Sequence, residues 1–253
     1  MGSLDGKTAL VTGASRGIGE AIARQFATEG AQLVLVSRKR EGLEASAKRI
    51  LDATGVECRI APCNTGDLAN IGALFAELDD ADVRVDVLVN NAATNPYFGP
   101  MIPLEFSAWD KTFDVNLKGS FEFARQVAVR CMEDKRPASI INLSSVYGMT
   151  GAPFQGIYAM TKAALISLTK TLAQEWGPSN IRVNALAPGL VDTQFAAAIV
   201  HNPALSKIFT ERSALKRHAV ADEIAGIATF LASDAASFIT GATLPVDGGY
   251  LAG

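Results

Sequence analysis

Thr8-Ala9-Leu10-Val11-Thr12 runs directly into Gly13-Ala14-Ser15-Arg16-Gly17-Ile18-Gly19 and then into Glu20-Ala21-Ile22-Ala23-Arg24-Gln25-Phe26. An apolar run, a glycine-punctuated turn and an amphipathic stretch read in that order as strand, turn and helix. A helix N-terminus aims unpaired N–H groups and a partial positive charge at whatever lies in front of it. Glycines clear side chains from that approach, so a pyrophosphate can rest on the backbone. Gly13 is expected to make the tight turn, Gly17 to permit the close approach and Gly19 to let helix pack against strand. The Gly-x-x-x-Gly-x-Gly spacing differs from the Gly-x-Gly-x-x-Gly of the commoner dinucleotide fingerprint.

Outward from this turn, short Val/Leu/Ile-rich runs alternate with amphipathic stretches. Strands are expected near 8–12, 32–37, 56–62, 85–90, 138–144, 181–187 and 242–246, and helices near 17–29, 40–54, 67–80, 107–134, 156–177 and 221–232. Most of the strand runs are apolar throughout, as a parallel sheet covered on both faces requires. The fold class is α/β: one doubly wound, Rossmann-type parallel sheet of about seven strands, with helices on both faces. No linker, repeat or low-complexity stretch divides residues 1–253, so a single dinucleotide-binding and catalytic domain is expected. Ser107, with Asp110 three residues on, signals the start of the long helix, and Pro137 its end. The alternation breaks near 190–218, and an insertion there reads as a substrate lid.

Composition narrows the class. With 49% hydrophobic and 19% charged residues, the chain reads as compact and soluble. A net charge of −3 gives no bulk attraction to nucleic acid or to an anionic membrane. Three scattered cysteines, Cys58, Cys63 and Cys131, point to reduced thiols in a cytoplasmic compartment. No cysteine or histidine pair has metal-ligand spacing, so no metal is expected. The polar N-terminus shows no secretory signal, and no apolar run is long enough to span a bilayer.

In open parallel sheets, ligands bind beyond the carboxyl ends of the strands. Those ends fall at Gly13, Ser37-Arg38, Cys63-Asn64, Asn90-Asn91-Ala92, Ser144-Ser145 and Pro188-Gly189. Tyr158 and Lys162, four apart at the start of a helix, project from one face. A tyrosine is a poor base at its ordinary pKa of about 10; a nearby ammonium favours the phenolate. With a Ser145 hydroxyl beside them, the set suits proton transfer to or from an alcohol or ketone. It does not suit acyl transfer, since no histidine base stands near Ser145. Alone, a helical Tyr/Lys pair is more often an ordinary surface pair.

These motifs together resemble the short-chain dehydrogenases/reductases of the single-domain type. Thr12 to Gly19 matches the family's cofactor motif, and Asn90-Asn91-Ala92 its Asn-Asn-Ala-Gly segment through three positions. Asn116, Ser145, Tyr158 and Lys162 fall on its tetrad, while Pro188-Gly189-Leu190-Val191-Asp192-Thr193 and Asp247-Gly248-Gly249 match two later motifs. The resemblance implies a hydride-transfer enzyme with Tyr158 as general acid/base. It implies that Lys162 holds the nicotinamide ribose and lowers the tyrosine pKa, that Ser145 orients the carbonyl, and that Asn116 keeps a water in a proton relay. Thr193 and the Val191 backbone would hold the carboxamide. Ala93 departs from the family's glycine, and Asn64 from its usual aspartate at the adenine. The resemblance also implies a homotetramer, built from the helices at 107–134 and 156–177 and from the C-terminal strand and the helix at 221–232.

The second strand ends Val36-Ser37-Arg38 without the acid that bonds a ribose 2′-hydroxyl in NAD-specific folds. Arg38, Ser37 and Arg16 instead suit a 2′-phosphate, so NADP(H) is favoured and NAD(H) left open. Tyr97, Phe98, Tyr147, Met149, Phe154, Gln155 and Phe195 form a mostly apolar candidate pocket for a hydrophobic ketone. A 3-oxoacyl carrier-protein reductase is an alternative, with Arg130 and Arg136 as contacts for an acidic carrier. A catalytically silent cofactor-binding protein is the rival from another class.

Overall fold

Alternate residues of the central strands feed two separate cores. Residues 2–252 are described by the computed structural model, in which seven strands run in the order β1 (Thr8–Thr12), β2 (Gln32–Ser37), β3 (Cys58–Pro62), β4 (Val87–Asn90), β5 (Ala138–Leu143), β6 (Ile181–Pro188) and β7 (Thr243–Val246). All six pairings are parallel, and the spatial order is β3-β2-β1-β4-β5-β6-β7. On one face, Ala9, Val11, Leu33, Leu35, Val87 and Val89 meet α1 (Gly17–Thr28), α2 (Arg40–Thr54) and α9 (Ala221–Ala232). On the other, Leu10, Val34, Val36, Leu88 and Ile140 meet α3 (Leu68–Asp80), α5 (Gly119–Glu133) and α6 (Gly156–Trp176). This two-residue alternation of apolar side chains is what a doubly covered sheet demands.

The chain reverses winding direction between β1 and β4, which opens a crevice at their carboxyl ends. β3 and β4 each begin two residues later than the sequence suggests, at Cys58 and Val87. Val85 is buried but precedes the ladder, where Asp86 accepts from the Thr8 N–H.

The helix expected over 107–134 is not one regular helix. It divides into α4 (Phe106–Phe113), a π-helical segment over Asp114–Lys118, and α5. Ser107 does not start it; Glu105 occupies the N-cap position. The physical cause lies outside the helix. Gly119 sits against the Thr65 carbonyl so closely that no Cβ would fit, and the Asn116 amide brackets the Thr94 backbone. Such tertiary contacts widen a helical turn where the apolar period alone predicts continuity. Between β6 and α9 stand two short helices, α7 (Ala197–Val200) and α8 (Pro203–Arg212). Neither contributes a buried residue. No helix among the described residues is long and apolar enough to cross a membrane.

Candidate active site

The glycine turn is held from behind. Asn91 donates its side-chain amide to the Thr12 carbonyl at 2.9 Å and to the Gly13 carbonyl at 3.2 Å. The Asn91 and Ala92 N–H groups both donate to the Thr12 hydroxyl, at 2.9 and 3.0 Å. Asn91 thus braces the turn, its amide donors spent on backbone. Gly13 and Gly17 have φ of +66° and +61°, a region that glycine enters without strain. At Gly19 a Cβ would stand 2.5 Å from the Gly13 carbonyl oxygen, so helix and strand touch only because no side chain intervenes.

In front of the turn, the first N–H groups of α1 lack intrahelical partners. Arg16, at the N-cap position, supplies no side-chain cap. The cradle of Ser15, Arg16, Gly17, Ile18 and Gly19 therefore offers uncommitted backbone donors to an anion, which fits a pyrophosphate. Arg16 and Arg38 are exposed, and neither has an acidic partner among the described residues. Ser37 does not cap α2; its hydroxyl reaches that of Ser15 at 3.3 Å. Asn64, also exposed, accepts from the Gly66 N–H at 3.3 Å. Across the crevice, a Cβ on Gly17 would come within 3.3 Å of the Thr193 methyl group. Gly189 donates to the Val246 carbonyl, and Val191 bridges to Ala219, which sets Pro188, Gly189, Val191 and Thr193 along the rim.

The end of β5 and the start of α6 bring the proton-transfer candidates together. Ser144 and Ser145 point to different tasks. Ser144 donates to the Lys162 carbonyl at 2.9 Å and ties α6 to the sheet. Ser145 accepts from the Tyr147 N–H at 3.1 Å and lies beside Tyr158. Lys162 is only 3% exposed; its Nζ donates to the Leu143 carbonyl at 2.6 Å and lies 5.4 Å from the Tyr158 ring centroid. Burial pushes the lysine down to about 8 and the Tyr158 phenol up to about 12, while the Ser145 hydroxyl pulls the phenol the other way. Desolvation is the dominant influence on the tyrosine, opposed by the Ser145 hydrogen bond.

Asn116 sits within the π-helical segment, buried. Its amide oxygen accepts from the Thr94 N–H at 2.8 Å, and its amide nitrogen donates to the Thr94 carbonyl at 3.0 Å and to the Thr161 hydroxyl at 3.1 Å. Thr161 in turn donates to the Tyr158 carbonyl at 2.8 Å. The widened turn is thus stitched directly to the first turn of α6.

Aromatic side chains line the mouth. Phe195 stands 5.9 Å from the Tyr158 ring, and Phe98 stacks on Phe154 at 6.2 Å. Gln155 accepts from the Asn95 amide at 3.0 Å. Phe209 and Tyr250 were not anticipated from the sequence. Tyr147 meets Phe209 edge-on at 5.8 Å, and Phe209 stacks on Tyr250 at 5.8 Å. Gly248 and Gly249, both with positive φ, turn the C-terminal segment back to place Tyr250 there. A double glycine before a terminal tyrosine is the signal that could have found it.

Comparison with known proteins identifies the family. The family model described as Enoyl-(Acyl carrier protein) reductase matches residues 13–251. Dehydrogenase/reductase SDR family member 4 of Bos taurus is 38% identical, over 98% of this chain and 88% of the relative. The 3-oxoacyl-[acyl-carrier-protein] reductase FabG of Aquifex aeolicus is 37% identical, over 97% of this chain and 98% of its own length. A gluconate 5-dehydrogenase from Burkholderia cenocepacia, solved in complex with NADP and tartrate, superposes with a TM-score of 0.94 at 36% identity, covering 99% of this chain and 97% of that one. The chain belongs to the short-chain dehydrogenase/reductase family, oxidoreductases that interconvert carbonyl groups and alcohols with a nicotinamide cofactor.

Proposed function

We propose that residues 1–253 form a single cofactor-binding and catalytic unit that reduces an apolar ketone with NADPH. One observation carries the reading: buried Ser145 and Lys162 converge on a partly exposed Tyr158 at the same carboxyl edge of the sheet as a braced glycine turn whose helix N-terminus is uncapped. Ser15, Arg16, Gly17, Ile18 and Gly19 would hold the pyrophosphate. Asn64 would face the adenine, and Ala92, Pro188, Gly189, Val191 and Thr193 the nicotinamide end. When bound, the nicotinamide supplies the hydride to the carbonyl carbon or takes it back in oxidation.

The chain's own residues then handle the oxygen. Ser145 donates a hydrogen bond to the carbonyl oxygen, which fixes the substrate's orientation and stabilises charge as it builds. Tyr158, kept protonated by burial, gives its proton to that oxygen. Lys162, its Nζ 5.4 Å from the Tyr158 ring centroid, would stabilise the phenolate left behind and hold the ribose hydroxyls. Asn116, with both amide hydrogens committed to the Thr94 carbonyl and the Thr161 hydroxyl, would hold a relay water only through an oxygen that accepts a second hydrogen bond.

The preference for NADP(H) rests on Arg38 and Arg16, exposed cations without acidic partners among the described residues, and on Ser37, which leaves α2 uncapped. Residues 190–218 act as a lid, anchored by no buried residue of α7 or α8. The aromatic mouth favours an apolar substrate. Reduction of a carrier-bound substrate is disfavoured because Arg130 is paired with Asp79 at 2.6 Å and Arg136 with Asp86 at 2.7 Å. Second copies of the chain would cover the exposed apolar residues Phe121 and Val129 on α5 and Ile227, Phe230 and Phe238 at the far end, as a homotetramer. Three unpaired thiols suit the reducing cytoplasm.

A panel of ketones assayed with NADPH and NADH tests the reading. NADPH gives the higher kcat/KM, and Tyr158→Phe lowers turnover by a factor on the order of 10² to 10⁴ while cofactor binding persists. Retained turnover in Tyr158→Phe, or cofactor binding with no turnover of any ketone by the parent, would contradict it.

A further inference from the structure

The cations of the 190–218 segment differ in what they touch. Lys207 pairs with Glu211 at 3.5 Å and Arg217 with Glu223 at 2.7 Å, while Lys216 donates to the Glu211 carbonyl at 2.6 Å. Arg212, in the last turn of α8, has no carboxylate within ion-pair distance among the described residues. Its guanidinium instead lies over the Tyr250 ring, 4.3 Å from the centroid, with Nη1 3.3 Å from the phenolic oxygen.

That stacked arginine ends a continuous wall. Tyr250 is buried and stacks on Phe209; Phe209 meets Tyr147; and the Tyr147 N–H donates to the Ser145 hydroxyl. The Tyr147 phenol is pushed up chiefly by burial, with Tyr250 and Tyr158 adding to the rise and Arg212 opposing it, so these four groups share one neighbourhood.

A cation at a helix C-terminus ordinarily complements the helix dipole. That role needs no aromatic partner and leaves the side chain in water. Here the ring holds one face of the guanidinium, and four of its five N–H donors have no partner among the described residues. A planar fork of free donors matches a carboxylate. A single cation also suits a monoanion better than a phosphate dianion, since Arg217 is already paired.

Resting on the reading of this crevice as the carbonyl site, we propose that Arg212 is a specificity-determining residue. It binds the carboxylate of an oxo acid whose apolar segment lies along Tyr147 and Phe209. The substrate class narrows from apolar ketones to apolar oxo acids.

The test uses a series of aliphatic oxo acids with increasing spacing between carbonyl and carboxylate, each beside its methyl ester, reduced with NADPH. At the best spacing the acid exceeds its ester in kcat/KM by roughly tenfold or more, through KM. Arg212→Gln collapses that ratio toward one, and Arg212→Lys restores part of it. A ratio near one at every spacing in the parent, or a ratio untouched by Arg212→Gln, overturns the proposal. Quenching of bound NADPH fluorescence by a saturated fatty carboxylate and by its methyl ester gives a second reading. If no oxo compound is reduced, the carbonyl reading fails, yet this binding contrast still decides Arg212. Weaker carboxylate binding in Arg212→Gln supports the proposal, and equal binding overturns it.

Discussion

The turn around Gly13 and the segment around α8 border the same crevice but are built by opposite means. α1 buries Gly19, Ala21, Ile22, Ala23, Phe26 and Ala27, and its entry turn is clamped by Asn91 from the neighbouring strand. α7 and α8 bury nothing, and α8 is held by Phe209 against Tyr147 and Tyr250 and by Arg212 stacked on Tyr250. The first region presents backbone to the crevice, the second side chains. Backbone geometry fixed by close packing tolerates almost no change, whereas a sparsely anchored segment opens at low cost.

The comparison breaks first at Gly19. Gly19→Ala would force a methyl group to within 2.5 Å of the Gly13 carbonyl oxygen and the Asn91 amide. Backbone cannot yield there as a flexible side chain would. The expected cost is about 3 kcal/mol of stability, the upper end for overpacking, with NADPH affinity falling more than roughly tenfold. Denaturant unfolding and NADPH titration check both. An alanine tolerated without loss on either measure would mean that the turn is not the rigid element described.

The rigid side also carries a pH signature. Lys162 falls from its ordinary 10.5 to about 8 through burial, so the folded state binds fewer protons than the unfolded state between those values. Stability then rises with pH across that window, and the burial penalty is present in full below it. Relative to Lys162→Met, the parent should gain about 2 kcal/mol between about pH 7.5 and about pH 9.5. Urea midpoints of both proteins at the two pH values measure this. Parallel behaviour of parent and variant would show that water reaches the ammonium.

The two regions also differ in how well the sequence disclosed them. β1 and β2 match their expected limits residue for residue because unbroken apolar runs bounded by turns have one reading. The glycine turn and the Tyr158/Lys162 pair were legible because each is set by spacing along a single element or its entry turn. The π-helical turn around Asn116 was not, since its cause is a contact between Gly119 and Thr65, far apart in sequence. Asn91 stands at the rim that the strand ends indicate, but that its amide donors bond the Thr12 and Gly13 carbonyls was not legible from spacing. Tyr250 and Arg212 escaped notice because their meeting depends on the C-terminal fold-back. Local periodicity cannot encode such a contact.

The smallest effect on stability, and the sharpest on selectivity, is expected at Phe195. Its side chain is 56% exposed, and the ring stands 5.9 Å from Tyr158. Phe26 is a ring of the same size with no exposure at all. Phe26→Ala empties a packed core and should cost about 3–5 kcal/mol. Phe195→Ala removes a ring that solvent already reaches, so its unfolding free energy should stay within about 0.5 kcal/mol of the parent. Against that near-neutrality, kcat/KM for an aromatic ketone should fall about fivefold, the worth of one aromatic contact, carried by KM, while a short aliphatic ketone should respond less. Equal losses on both ketones would place Phe195 outside the substrate's path. A large stability loss would mean that the lid is anchored after all, and the contrast between the two walls of the crevice would dissolve.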